Sequence, residues 1–176
     1  MNARLLFAAM PLCLLAACAT VLPLPRVDTV PDLPRTLHLI ESQPGQIEQD
    51  RLLVVQREEQ LIRWSLFDLF GAPLARQLLS MEDGSWRSDG LLPPNPQARE
   101  LFAALLFAWT PGSLLESAYP GVWRETGAEA SLESRELMQD GVVHWRVEWV
   151  DETLTSPPSF TLTLPEGTIW RVLPLE

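Results

Sequence analysis

The chain has 176 residues, of which 47% are hydrophobic and 20% charged, a balance that fits one globular domain and excludes a disordered chain. Thirteen basic residues, every one an arginine, stand against 23 acids, and the net charge of −10 argues against nucleic acid or an anionic membrane surface as an electrostatic partner. Two His and two Cys are too few for most metal sites.

Residues 1–17 read as an export signal. Arg4 supplies a short positive start, and residues 5–15 are apolar and uncharged. The run is shorter than the ~20 residues that span a bilayer. It ends in Leu15-Ala16-Ala17-Cys18, which resembles a bacterial lipobox. In that motif small residues admit a signal peptidase to the bond before the cysteine, here Cys18, which is then lipidated. Cys13 would leave with the signal and Cys18 would be blocked, so no disulfide is expected. The core alone must then hold the domain, which ~140 folded residues can supply. Several acyl chains on Cys18 would anchor the protein firmly, at ~0.8 kcal/mol per buried CH₂. The residue after the cysteine is Ala19, not the Asp that retains such proteins at the inner membrane. That resemblance implies the outer membrane, periplasmic face.

Residues 18–35 carry the lipidated Cys18 and a tether with Pro23, Pro25, Pro31 and Pro34. Proline restrains its predecessor to extended conformations, so a semi-rigid spacer of roughly 50 Å is expected. Residues 36–176 read as a single domain.

The domain opens with a meander. Leu37 and Leu39 alternate with polar neighbours, and Gln43-Pro44-Gly45-Gln46 is a turn signal. Residues 52–56 form an apolar strand with Val54 and Val55, and Glu58-Glu59 turns the chain. Ile62, Trp64 and Leu66 then alternate with Arg63, Ser65 and Phe67. Phe70-Gly71-Ala72-Pro73 makes the next turn, residues 74–81 return, and Trp86 marks a short strand at 85–88.

Pro93-Pro94 breaks the pattern, and Asn95-Pro96 is a helix start, because Asn caps orphan amides and Pro fits the first helical position. The helix should run to about Trp109, before Pro111. Ala98, Leu101, Phe102, Leu105, Leu106 and Trp109 form one stripe, and Ala103, Ala104, Phe107 and Ala108 fill much of the rest. A helix apolar nearly all round should be buried on more than one side. A short second helix is expected within 113–118.

Strands return at 122–126, 130–138 and 142–150, with Gln139-Asp140-Gly141 as a hairpin signal. Val143, Trp145, Val147 and Trp149 should share one face, and His144, Arg146 and Glu148 the other. After Pro157-Pro158, Phe160, Leu162 and Leu164 alternate, and Pro165-Glu166-Gly167 turns into a strand at 168–173. The expected fold is α+β: a curved antiparallel sheet of nine or ten strands wrapped around one main apolar helix.

The lipobox, tether, meander, apolar helix and hairpin-rich end resemble a bacterial lipoprotein family, a domain of unknown function similar to the outer-membrane lipoprotein receptor LolB and the carrier LolA. Residues 67–74 (Phe-Asp-Leu-Phe-Gly-Ala-Pro-Leu) and 107–111 (Phe-Ala-Trp-Thr-Pro) carry the likeness most directly. The resemblance implies a helix-covered half-barrel with a cavity for acyl chains. It also implies that some relatives are encoded beside pathways for aryl polyenes, which are pigment lipids. It supplies no catalytic residues. A receptor-type membrane-contact loop would correspond to the hairpin tip at Leu69 and Phe70.

The residues themselves give no enzyme constellation. No Gly-x-Ser-x-Gly elbow surrounds Ser113, and His144 reads as a surface strand residue. The acid pairs Glu58-Glu59 and Asp151-Glu152 read as solvated turns. No metal site and no cofactor is expected. Seven tryptophans suit either a bulky core or the lining of an apolar cavity. If a cavity exists, Trp64, Leu105, Leu106, Trp109, Trp145 and Trp149 are its candidate lining.

The expectation is therefore a non-enzymatic outer-membrane lipoprotein that binds acyl or polyene chains and acts as carrier or acceptor in envelope lipid or lipoprotein transport. The alternative is an assembly or scaffold lipoprotein that docks a protein partner of an envelope machine, through strand edges near Leu37 or Thr168.

Overall fold

The structure is a computed structural model that describes residues 22–25, 33, 35–126, 133–149 and 159–175. The expected signal, Cys18, most of the tether, residues 130–132 and 150, Asp151-Glu152 and Pro157-Pro158 lie outside the described residues.

The first half is a run of five strands: β1 (Arg35–Ser42), β2 (Gln49–Glu58), β3 (Leu61–Asp68), β4 (Pro73–Ser80) and β5 (Trp86–Ser88). Then come α1 (Pro96–Trp109), a 3₁₀ turn (Gly112–Leu114) and α2 (Leu115–Ala118). The second half is β6 (Trp123–Thr126), β7 (Ser134–Gln139), β8 (Val142–Trp149), β9 (Phe160–Thr163) and β10 (Ile169–Pro174). All ten strands pair antiparallel in one open, curved sheet ordered β5-β4-β3-β2-β1-β10-β9-β8-β7-β6. Each half is a meander, and the two meet at β1 and β10, where Leu37 faces Pro174 and Ser42 faces Ile169.

This arrangement corrects one expectation. The strands carrying Leu37 and leading from Thr168 are central, because β1 is hydrogen-bonded to both β2 and β10. Among the described residues the edges are β5 and β6, of three and four residues, and such short edges offer little to a partner strand.

Helix α1 begins where Asn95 Oδ1 accepts from the Ala98 amide at 3.0 Å, with Pro96 at its first position. It ends at Thr110, whose hydroxyl donates to the Leu106 carbonyl at 2.8 Å. Leu101 to Leu106 are each no more than 1% exposed, as all-round apolarity requires. Its partners come from both halves of the sheet: Phe102 stacks on Trp64 of β3, and Phe107 meets Trp145 of β8. The helical segment thus links the two sheet edges in sequence while its apolar body fills the curve.

The register sorts the turns into two ends. Turns β1–β2, β3–β4, β7–β8 and β9–β10 stand together at one rim, and a side chain begun at Gly167 would meet the Pro44 ring of the neighbouring turn at about 4.0 Å. The Asp140-Gly141 turn has positive φ at both residues, as a two-residue hairpin of matching twist needs. The opposite end holds the start of β1, the ends of β8 and β10, and the C-terminus of α1.

A charge cluster around the buried Glu136 ties the second half together across its outer face. Glu136 of β7 accepts from Arg124 of β6 at 2.5 Å and from Arg146 of β8 at 2.8 Å. Burial opposes its charge, but the two arginines outweigh burial and hold the carboxyl below the usual value.

His144 departs from the expected outer face. The register of β7 against β8 shifts between Leu137 and Met138, a bulge that leaves His144 without a cross-strand partner. Its imidazole lies 3.2 Å from Glu100 of α1, which also accepts from the Trp145 indole at 3.4 Å. His144 therefore faces the helix rather than solvent.

Candidate functional site: an apolar groove at the helix C-terminus

At the end opposite the hairpin rim, a groove of about 450 Å³ opens between the last turn of α1 and the sheet seam. Its apolar wall is built from Leu37, Trp109, Trp149, Phe160, Val172 and Leu175, with Ala108 and Pro174 between them. Arg35 and Thr36 supply its polar side chains. Each element contributes residues at or near its end: the start of β1, the last turn of α1, the end of β8, the start of β9 and the end of β10.

The groove wall is stiffened from behind. Trp109 stacks on Trp64 at 5.8 Å with an angle of 7°, and Trp64 continues onto Phe102 at 5.0 Å. The Arg35 guanidinium lies 4.8 Å from the Trp109 ring centroid, a cation–π contact at the mouth. On the other side Trp149 packs on Phe160 and covers the Arg135 guanidinium at 4.9 Å. Arg135 donates to the carbonyls of Phe107 and Thr110 at 3.3 and 2.8 Å and pairs with Glu125 at 3.2 Å. Burial pulls its guanidinium below the usual arginine value, and Glu125 pulls it back up. Beside it the Tyr119 phenol is held neutral, because burial raises its pKa far above the usual tyrosine value.

No protein-family model and no curated protein matches the chain.

The six candidate lining residues divide sharply. Trp109 and Trp149 are half-buried and line the groove. Trp64, Leu105 and Trp145 are 0% exposed and Leu106 is 1% exposed, so these four are core behind the wall rather than the wall itself. Leu37, Phe160, Val172 and Leu175 also reach the groove, from β1, β9 and β10, and no local pattern in the sequence marks them as lining. Their signal was available only in combination, since β1, β9 and β10 converge through long-range pairing.

Another cavity is a polar cleft of about 140 Å³ at the hairpin rim, beside the start of α1. Glu41 and Arg51 on its wall pair with each other at 3.0 Å. Among the described residues, no group of three or more His, Cys, Asp or Glu side chains is placed to hold a metal ion.

The predicted membrane-contact pair stands on the rim. Leu69 is 67% and Phe70 95% exposed at the β3–β4 tip. The tip is fixed by its own backbone: Asp68 accepts from the Phe70 amide at 2.9 Å and the Ala72 amide at 2.8 Å. Phe70 is thus held outward by a rigid turn, and it does not pack on the sheet edge.

Proposed function

We propose that this protein binds acyl or polyene chains in the groove beside Trp109, as a non-enzymatic, LolA/LolB-like half-barrel lipoprotein held on the periplasmic face of the outer membrane through Cys18. It acts as a carrier or acceptor in envelope lipid or lipoprotein transport. The observation that carries this reading is the groove itself, whose size lies within the range of small-ligand sites and whose wall is mostly apolar. The driving force is burial of hydrocarbon, at ~25 cal/mol per Å². The exposed tip at Leu69 and Phe70 offers a point of contact with the bilayer, at the rim opposite the groove, so a chain would pass to or from the groove with the protein turned or detached from that contact.

The direct test is uptake of a fluorescent polyene fatty acid followed by energy transfer from tryptophan. Uptake at micromolar concentration is expected. Trp109→Ala together with Trp149→Ala should weaken it about tenfold, or ~1.4 kcal/mol. No uptake by the wild-type protein, or an unchanged affinity in the double variant, overturns the assignment.

The membrane-contact tip has its own test. Leu69→Ser with Phe70→Ser should shift stability by no more than about 0.5 kcal/mol, because both side chains are exposed. Binding to zwitterionic vesicles should fall about tenfold or more, since burying one such side chain contributes ~1.5–3 kcal/mol. Equal vesicle binding, or an unfolded variant, would contradict the assignment.

A further inference from the structure

We propose that residues 22–25 are a strap seated on the domain, so that the lipid on Cys18 holds the body against the bilayer over four residue steps. This rests on the reading of Cys18 as the lipidated residue and deepens the proposed function: the protein acts as an acceptor at the membrane surface rather than as a carrier on a long leash.

As a free spacer, residues 18–35 would reach roughly 50 Å. The structure places part of that stretch on the body instead. Leu22 and Leu24 pack against the hydrophobic core, Pro23 is half-buried between them, and Pro25 is buried. Leu33, just before β1, packs against the same core. A spacer standing in solvent would leave all of these side chains exposed.

The residue types suit a seated strap. Burial of the two leucines supplies the driving force. Pro23 and Pro25 have no amide hydrogen, so two of the four residues bring no donor that burial would leave unpaired. Each proline also restrains the leucine before it to extended conformations, and less freedom is lost when the segment seats.

Covalent geometry then sets the reach. Only Ala19, Thr20 and Val21 stand between Cys18 and Leu22. Four steps of ~3.6 Å span at most about 14 Å. No charged residue falls within 19–25, so this link meets the head groups with no charge to desolvate. Releasing the strap would lengthen the reach toward the roughly 50 Å of the free spacer.

The test is neutron reflectometry of the full lipidated protein on a supported zwitterionic bilayer, which reads the thickness of water between head groups and protein. Every protein measured carries Leu69→Ser and Phe70→Ser, so that contact through the tip does not set the height. The layer should be no thicker than about 14 Å. Adding Leu22→Ser and Leu24→Ser should widen it about twofold or more. About ten Gly and Ser residues inserted between Ala19 and Thr20 should widen it as well, with the strap left intact. A thicker layer in the starting protein, or one that either change leaves unaltered, overturns the strap. Mass spectrometry of the same samples separates the two readings: if Cys18 carries no lipid, the anchored reading fails and this inference fails with it.

Discussion

Replacing Arg135 by Met is expected to lower the unfolding free energy by about 3 kcal/mol. Helix α1 has no basic residue in its own last turn. Its negative terminus is served instead from β7, where one guanidinium donates to the Phe107 and Thr110 carbonyls and pairs with Glu125. Arg135 is 7% exposed, so those carbonyls lose a partner in a place that water does not readily reach. Each buried acceptor left unmade costs about 1–3 kcal/mol. Lysine keeps the charge but lacks the planar fork, so Arg135→Lys should recover less than half of the loss. Urea unfolding checks this: the midpoint should drop with the slope unchanged. A midpoint equal to wild type would show that other groups take over the carbonyls. Chain binding should weaken as well, because Trp149 rests on this guanidinium.

Trp64→Ala is expected to cost about 3–5 kcal/mol, the usual price of emptying a large aromatic site. Trp64 is 0% exposed and touches Trp86, Phe102 and Trp109. Domains of this kind are stable by only ~5–15 kcal/mol, so a large part of the total is at stake. Trp64→Phe should cost less than about 1.5 kcal/mol, since it keeps the stacked plane. It also removes a buried indole N–H that has no hydrogen-bond partner. Thermal unfolding of the two variants separates them. If alanine and phenylalanine cost the same, the stack is not what Trp64 contributes. Because Trp109 leans on Trp64, the alanine variant should also blunt ligand uptake in proportion to how far the groove wall relaxes.

Elements whose physics is local are legible in the sequence. Asn95, Pro96 and Pro111 bound α1 at the expected residues, and Asp140-Gly141 makes its hairpin. The curved antiparallel sheet follows from period-two patterns and turn residues. The pairing of β1 with β10 does not, because neither strand carries a mark of its distant partner, and Leu37 therefore read as a possible edge. His144 was misplaced for a different reason: strict alternation puts it outward, and a bulge of one residue reverses that. The candidate lining was half legible. A tryptophan on the inward face of a strand has the same pattern whether it fills the core, as Trp64 does, or bounds a space, as Trp149 does. The difference is set by how near the residue lies to the end of its strand, and strand ends are the least certain part of any pattern.

The seam between β1 and β10 also dictates an order of events. The hairpins of each half can form from neighbouring residues, quickly and early. The sheet becomes one only when the first strand meets the last, across nearly the whole described chain. Such distant pairing slows folding, because the loop must close before any contact rewards it. A chain cut short before Ile169 is therefore not a smaller version of this protein. It is two unjoined stacks of hairpins, each with an apolar central edge laid bare where the other should be.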